Sequence, residues 1–335
     1  FNPNIFQWDT CFMMLFAKYA NNLIPSIVSL DNFYRKQHAD GAICREIREA
    51  DGTDYWPKSS KHFTNPPLFA WAEWDHYRFT KDSSRFAQVL PVLDKYFQWC
   101  KQNRTIDNGM YFWSNLASGM DNSPRLESQT AGWVDYTAQQ AMAAYYISKM
   151  ALVIGDNLLA TSYQAEFDSL KRLINRLCWN EEDGYYWDLD GAGIQIKTKT
   201  AACFWPMIAM VANQKQAAKL TQHLKNPAEF YRPHLFPTLA ADHPDYHANG
   251  NYWRGSVWAP TNVMYIKGLQ EMGYEELAME AAMNHLENMY QVFKDIEPHS
   301  MWENYAPESA QPGQPAKSDF VGWSGCGPIA LLIEN

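Results

Sequence analysis

Val89, Val92, Leu93, Tyr96, Phe97 and Cys100 recur at spacings of three and four, which puts all of them on one face of a helix. Phe167, Leu170, Leu173, Ile174 and Leu177 form a second stripe of this kind, and Ala282, Leu286, Met289 and Phe293 a third. Similar periodicity covers 5–22, 25–37, 66–80, 128–150, 199–211, 213–224, 257–273 and the C-terminal tail. The pattern predicts about twelve helices. Strand signals are few, and Gly184-Tyr-Tyr-Trp-Asp-Leu-Asp-Gly191 reads as a short hairpin. The lack of regular strand–helix alternation argues against a TIM barrel or a doubly wound sheet.

Between the helices lie two kinds of connection. Some are short. Others, at 38–66, 104–128, 226–257 and 295–327, are long and rich in Trp, Gly, Pro, Asn and Asp. Long loops in a compact domain are usually functional or disordered, and aromatic-rich ones do not suit disorder. Long loops at intervals of two helices predict an all-α toroid, an (α/α)6 barrel, as a single domain over 1–335. The loops of one end would then meet over a central cavity. The sequence starts at Phe1 rather than Met, which leaves room for native residues ahead of it, a signal peptide among them.

Composition narrows the partners. Lys and Arg number 28 against 37 Asp and Glu, a net charge of −9, with no basic run. Such a chain is a poor ligand for nucleic acid, and its longest apolar stretches, such as 201–212, are too short for membrane insertion. Aromatic residues reach 15%, enough to line a pocket as well as fill a core. The six cysteines are scattered without a C-x-x-C, so buried reduced thiols are expected, with long-range disulfides the alternative for an exported protein. The compartment, cytoplasmic, periplasmic or secreted, stays open, and the sequon Asn103-Arg104-Thr105 does not decide it.

Several chemistries lack their motifs. There is no phosphate loop, and Gly322-Trp-Ser-Gly-Cys-Gly327 fits neither G-x-G-x-x-G nor G-x-S-x-G. His243-x-x-x-His247, with His234 nearby, lies in a proline-containing loop without the Glu of H-E-x-x-H, so polar loop histidines are expected and no metal site. Asp188 and Asp190 beside Gly191 read as a turn rather than a cation site. No D-D-x-x-D is present, and no cofactor is expected.

What remains is carboxylates among aromatics and glycines: Phe6-Gln-Trp-Asp9, Ser118-Gly-Met-Asp-Asn-Ser-Pro-Arg125 and Met301-Trp-Glu-Asn-Tyr305. Two carboxyl groups facing each other across an aromatic-lined cavity are the equipment for glycoside hydrolysis, one donating a proton and the other accepting one from water. Taken singly, Asp121 suits a turn or helix cap, and Glu303 a surface carboxylate. Trp71, Trp74 and Trp99 hold helical positions and are expected in the core.

Taken in order, the motifs resemble the clan of inverting glycosidases on an (α/α)6 barrel that contains the trehalases and glycoside hydrolase family 63. Phe6-Gln-Trp-Asp9 is similar to F-x-W-D, Gly41-Ala-Ile-Cys-Arg-Glu46 to G-x-I-x-R-E, and Asn65-Pro-Pro67 to N/Q-P-P. Ala117-Ser-Gly-Met-Asp-Asn-Ser-Pro-Arg125 resembles the acid motif, Tyr252-Trp-Arg-Gly-Ser-Val-Trp258 resembles Y-W-R-G-x-V/I-W, Trp302-Glu-Asn-Tyr305 the base motif, and Phe320-Val-Gly-Trp323 the closing G-W segment. Family 63 fits better than trehalase because of the G-x-I-x-R-E and Y-W-R-G segments. The resemblance implies that Asp121 is the general acid and Glu303 the general base. It implies that Trp8, Asp9, Arg45, Glu46, Trp253, Arg254, Trp258, Tyr305 and Trp323 surround the sugar. Ala117 stands where the family usually has Glu, which puts one polar contact near Asp121 in doubt.

The expected activity is therefore an inverting, exo-acting α-glycosidase on an oligosaccharide or small glycoside, with an α-glucoside as the leading substrate. Trehalose or mannosylglycerate hydrolysis is the alternative, and an inactive carbohydrate-binding barrel is the alternative of another class. The Tyr252–Trp258 stretch has two readings: a pocket wall offering ring faces to a sugar, or a hydrophobic plug that buries Arg254.

Overall fold

The computed structural model describes residues 3–112 and 114–334. Phe1, Asn2, Trp113 and Asn335, which belong to the expected domain and in the case of Trp113 to the 104–128 loop, lie outside the described residues. The chain forms two compact units. One comprises Phe1–Gly119, Glu127–Leu177 and Asp190–Gly193, and the other Met120–Leu126, Cys178–Leu189 and Ile194–Asn335.

In the first unit the helices are Gln7–Ala17, Phe69–Thr80, Phe86–Asn103, Val134–Val153 and Asn157–Leu177, besides shorter turns. Val134–Val153 is buried almost all round and packs against Phe69–Thr80, Phe86–Asn103 and Asn157–Leu177. Asn157–Leu177 buries only the stripe Ala160, Tyr163, Phe167, Leu170 and Ile174, so one helix is inner and its successor outer. The second unit repeats this. Ala259–Glu271 is buried on nearly every side, with Pro260 in its first turn, and Glu275–Asp295 covers it with one apolar face. Gln214–Leu224 is likewise amphipathic and starts with a capping box, in which Asn213 and Gln216 satisfy each other's backbone N–H groups.

Several expectations are revised. The 25–37 segment is a 3-10 turn, Ser26–Leu30, followed by one short helix, Asp31–Tyr34. The 199–211 segment is equally broken, into Ala201–Phe204 and Trp205–Ile208, and the tail is a chain of short turns from Trp323. Gly184–Gly191 does not fold on itself: Tyr185–Tyr186 pairs back with Trp179–Asn180, and Asp188–Leu189 pairs forward with Gln195–Ile196. Trp71 and Trp99 are buried in the first unit, Trp71 edge-on to Phe12, whereas Trp74 is half-buried and stacks on Phe86 and Tyr146. All six cysteines are buried thiols. Burial raises the thiols of Cys11, Cys44, Cys100, Cys178 and Cys203 above their ordinary range. Among the described residues no helix is long and apolar enough to cross a membrane.

Candidate active site

In the second unit the acid, Y-W-R-G, base and G-W motifs come together. Met120 and Ser123 close a turn, with the Ser123 N–H donating to the Met120 carbonyl at 3.1 Å. Asp121 occupies the exposed crest of this turn. The next residue, Asn122, is fastened to the neighbouring loop three times. Its Oδ1 accepts the Trp253 N–H at 2.8 Å, its Nδ2 donates to the Asn251 carbonyl at 3.0 Å, and its own carbonyl accepts Arg254 Nε at 3.0 Å. Arg125, at the far end of the motif, makes a two-pronged ion pair with Asp188, Nε to Oδ2 at 2.8 Å and Nη2 to Oδ1 at 3.0 Å. Asp188 is thus an anchor and not a turn residue, whereas Asp190 does cap a turn through the Ala192 N–H at 2.9 Å.

The Asn251–Trp258 loop is tightly constrained. Asn251 and Tyr252 both hold positive φ, +40° and +65°, which is costly for residues with side chains. Gly255 has φ +140°, and a Cβ there would lie 2.8 Å from the His247 carbonyl oxygen, which accounts for the glycine of the motif. Trp253 and Trp258 stack on each other at 4.0 Å and 6°, with Trp323 edge-on to both. At 1% and 0% exposed, this pair turns its faces to protein. Such burial is what the plug reading expects of the two tryptophans. Arg254, by contrast, has a side chain 35% exposed, with its Nε spent on Asn122.

The base motif sits against the same loop. Tyr305 and Val257 exchange backbone hydrogen bonds at 2.9 Å each way, and the Trp302 N–H donates to the Tyr305 hydroxyl at 3.1 Å, so Tyr305 is a buried brace of its own turn. The Glu303 N–H donates to the Lys317 carbonyl, and Tyr252 Oη donates to Glu303 Oε1 at 3.3 Å. Burial pushes the Glu303 carboxyl above the ordinary carboxylate range, against the opposing pull of Lys317 and the Tyr252 hydroxyl. Behind Tyr305 lie His234 and His285, buried and joined Nε2 to Nδ1 at 2.8 Å. Sequence had made His234 a polar loop residue near His243 and His247, but its contact is with His285, 51 positions away. Among the described residues no group of three or more His, Cys, Asp or Glu is placed to hold a metal ion.

The first unit gathers the remaining motifs. Ile5–Phe6 and Glu46–Ile47 form an antiparallel pair, with Phe6 opposite Glu46, which ties F-x-W-D to G-x-I-x-R-E. The Gln7 N–H donates to the Arg45 carbonyl at 2.8 Å. Arg45 and Glu46 are buried and bonded to each other at 3.3 Å. Arg45 also donates to the Leu116 carbonyl, and Glu46 accepts from Asn4 at 2.7 Å and Trp56 at 3.2 Å. Asn65 donates to the Ala117 carbonyl at 2.6 Å, so the position that departs from the family pattern still makes a polar contact, through its backbone. Gly119, at φ +85°, ends a short helical turn, and a Cβ there would lie 2.6 Å from the Trp8 ring. Asp9 lies half-buried in the first turn of Gln7–Ala17, where the helix dipole favours a carboxylate.

Residues 2–324 match the model of the mannosylglycerate hydrolase MGH1-like glycoside hydrolase domain. The chain belongs to that family. An uncharacterised protein of Borreliella burgdorferi is 32% identical to it over 339 residues, covering 98% of this chain and 71% of the relative. The crystal structure of the family 63 mannosylglycerate hydrolase of Thermus thermophilus, in complex with glucose, superposes with a TM-score of 0.81 at 22% identity, over 100% of this chain and 94% of that one. The neutral trehalase of Saccharomyces cerevisiae superposes with a TM-score of 0.83 at 15% identity, over 99% of this chain and 72% of that one. These likenesses bear out the (α/α)6-barrel fold expected from the helix pattern.

The second unit holds two carboxyl groups in unlike environments, Asp121 on an exposed turn and Glu303 in a buried one. Sequence reading missed the parts that hold them. Tyr252 was within a recognised motif but was given no role, and Asn122 and Asp188 carried no signal of their partners.

Proposed function

We propose that the protein is an inverting, exo-acting α-glycosidase in which Asp121 is the general acid and Glu303 the general base. One observation carries this reading: the 251–254 segment fastens both carboxylate loops, Asn122 beside Asp121 through three hydrogen bonds and Glu303 through Tyr252. Asp121 gives its proton to the glycosidic oxygen as the bond to the anomeric carbon breaks. Water attacks that carbon from the opposite face, and Glu303 takes the proton that water releases. The products are the free sugar with inverted configuration and the alcohol, and exchange with solvent restores both carboxyl groups. A base whose pKa lies above the ordinary carboxylate range accepts a proton more readily near neutrality.

Arg254 and Asp9, which are partly exposed, are proposed to contact the sugar. Trp8, Arg45, Glu46, Trp253, Trp258, Tyr305 and Trp323 are proposed to shape the walls behind those contacts, given their burial. A single family match over residues 2–324 supports one catalytic domain. An α-glucoside remains the leading substrate, and mannosylglycerate and trehalose, in the names of the similar proteins, are the alternatives.

The test is hydrolysis of small α-glucosides, trehalose, α-mannosides and mannosylglycerate, with the first product anomer read by NMR. The β-anomer of the sugar whose bond is cleaved should appear first from an α-glycoside, joined in the case of trehalose by an equal amount of α-glucose as the leaving group, and only monosaccharide should be released early from a longer chain. Appearance of the α-anomer alone would overturn inversion, internal fragments would overturn exo action, and sugar binding without turnover would favour the inactive barrel.

A further inference from the structure

We propose that the buried Arg125–Asp188 ion pair is a positioning device for the general acid, an inference that rests on the reading of Asp121 given above. Asp121 stands on a turn between Met120 and Ser123, outside any helix or strand, so its placement depends on what holds the segment that follows it. Directly after it Asn122 is bonded to 251–254. Three residues further on, Arg125 reaches Asp188 with both prongs of its guanidinium, at 2.8 and 3.0 Å. The two side chains are 0% and 7% exposed. Asp188 is itself held on the strand Asp188–Leu189, paired in register with Gln195–Ile196.

A buried ion pair is a poor choice if stability alone is wanted. Desolvating two charges offsets most of their attraction, and well-packed apolar residues of similar volume often do as well or better. What the pair supplies is direction. A planar fork on a carboxylate fixes distance and orientation at once, which apolar packing or a lysine would not. Fixing Arg125 fixes the loop four residues beyond Asp121. Asp188 and Arg125 are thus positioning residues that act through Asp121 without touching substrate.

The test compares a glycoside with a poor leaving group and the α-glycosyl fluoride of the same sugar, because fluoride departs with little protonation. In Asp188→Asn and Arg125→Lys, kcat on the glycoside should fall on the order of 10²-fold while KM and the rate on the fluoride stay close to wild type. The double variant Arg125→Met/Asp188→Leu, which removes both charges, should fold with a melting temperature near wild type and show the same selective loss; it is the deciding variant should either single one fail to fold. Equal losses on both substrates, or no loss on either, would overturn the proposal. Asp121→Asn is measured in parallel. If it lacks leaving-group selectivity, the reading of Asp121 as the acid fails; if it has it and the pair variants do not, only the positioning role fails.

Discussion

The hydroxyl of Tyr252 lies 3.3 Å from Oε1 of Glu303 and donates to it. A donor of this kind favours the ionised carboxylate and opposes the upward push of burial. Tyr252→Phe removes the donor, so the Glu303 carboxyl should hold its proton to a higher pH. A single hydrogen bond contributes about 0.5–1.5 kcal/mol, so the acid limb of kcat/KM should move up by a few tenths to about one pH unit. An unmoved limb would separate Tyr252 from the base.

Glu303→Gln should lower turnover on the order of 10²- to 10⁴-fold, the usual loss of a placed general base. The fold should survive, because the amide keeps the shape and removes a desolvated charge. Added azide, which attacks without losing a proton, should form the glycosyl azide of inverted configuration. Retained wild-type turnover would remove Glu303 from the mechanism.

Trp258→Ala and Arg254→Ala should part company. The first opens a hole in the Trp253–Trp258–Trp323 cluster and should cost about 3–5 kcal/mol in denaturant unfolding. The second removes a partly exposed side chain and should leave the melting curve almost in place while kcat/KM falls, through loss of its bond to Asn122. A large stability loss in Arg254→Ala with normal activity per folded molecule would restore the plug reading for the whole loop.

The His234–His285 pair gives the fold a sensitivity to acid. Burial holds His285 down to about 3, and burial with its neighbour lowers His234 as well. In the unfolded chain both imidazoles take up protons below about 6.5. The unfolded state therefore binds more protons as pH falls, and stability should be lost progressively from about 6.5 toward 3. Urea midpoints across that range should fall less steeply for His285→Gln than for wild type, and parallel curves would show that the pair does not titrate on unfolding.

How much of this could be read from the sequence follows from distance along the chain. The Asn157–Leu177 helix announces itself because one face is buried and the rest is wet. Val134–Val153 has no such contrast, being buried on nearly all sides, and the reading began it too early, at 128. Two-residue strands such as Ile5–Phe6 and Glu46–Ile47 are too short to show a period of two. The carboxylates stood out because Trp, Gly and Asn crowd around them. Asp188 did not, because its closeness to Asp190-Gly191 imitates a turn and its partner Arg125 lies 63 positions away. His234 was misjudged for the same reason: nothing local marks a histidine whose ring partners, His285 and Tyr305, come from distant segments.

The sealed thiols divide evenly: Cys11, Cys44 and Cys100 lie in the first unit, Cys178, Cys203 and Cys326 in the second. A thiol reagent in solution meets none of them until the chain around it opens. Each cysteine is thus a timer on its own neighbourhood, and mass-tagging under mild denaturant would record which unit gives way first, without a single residue being altered.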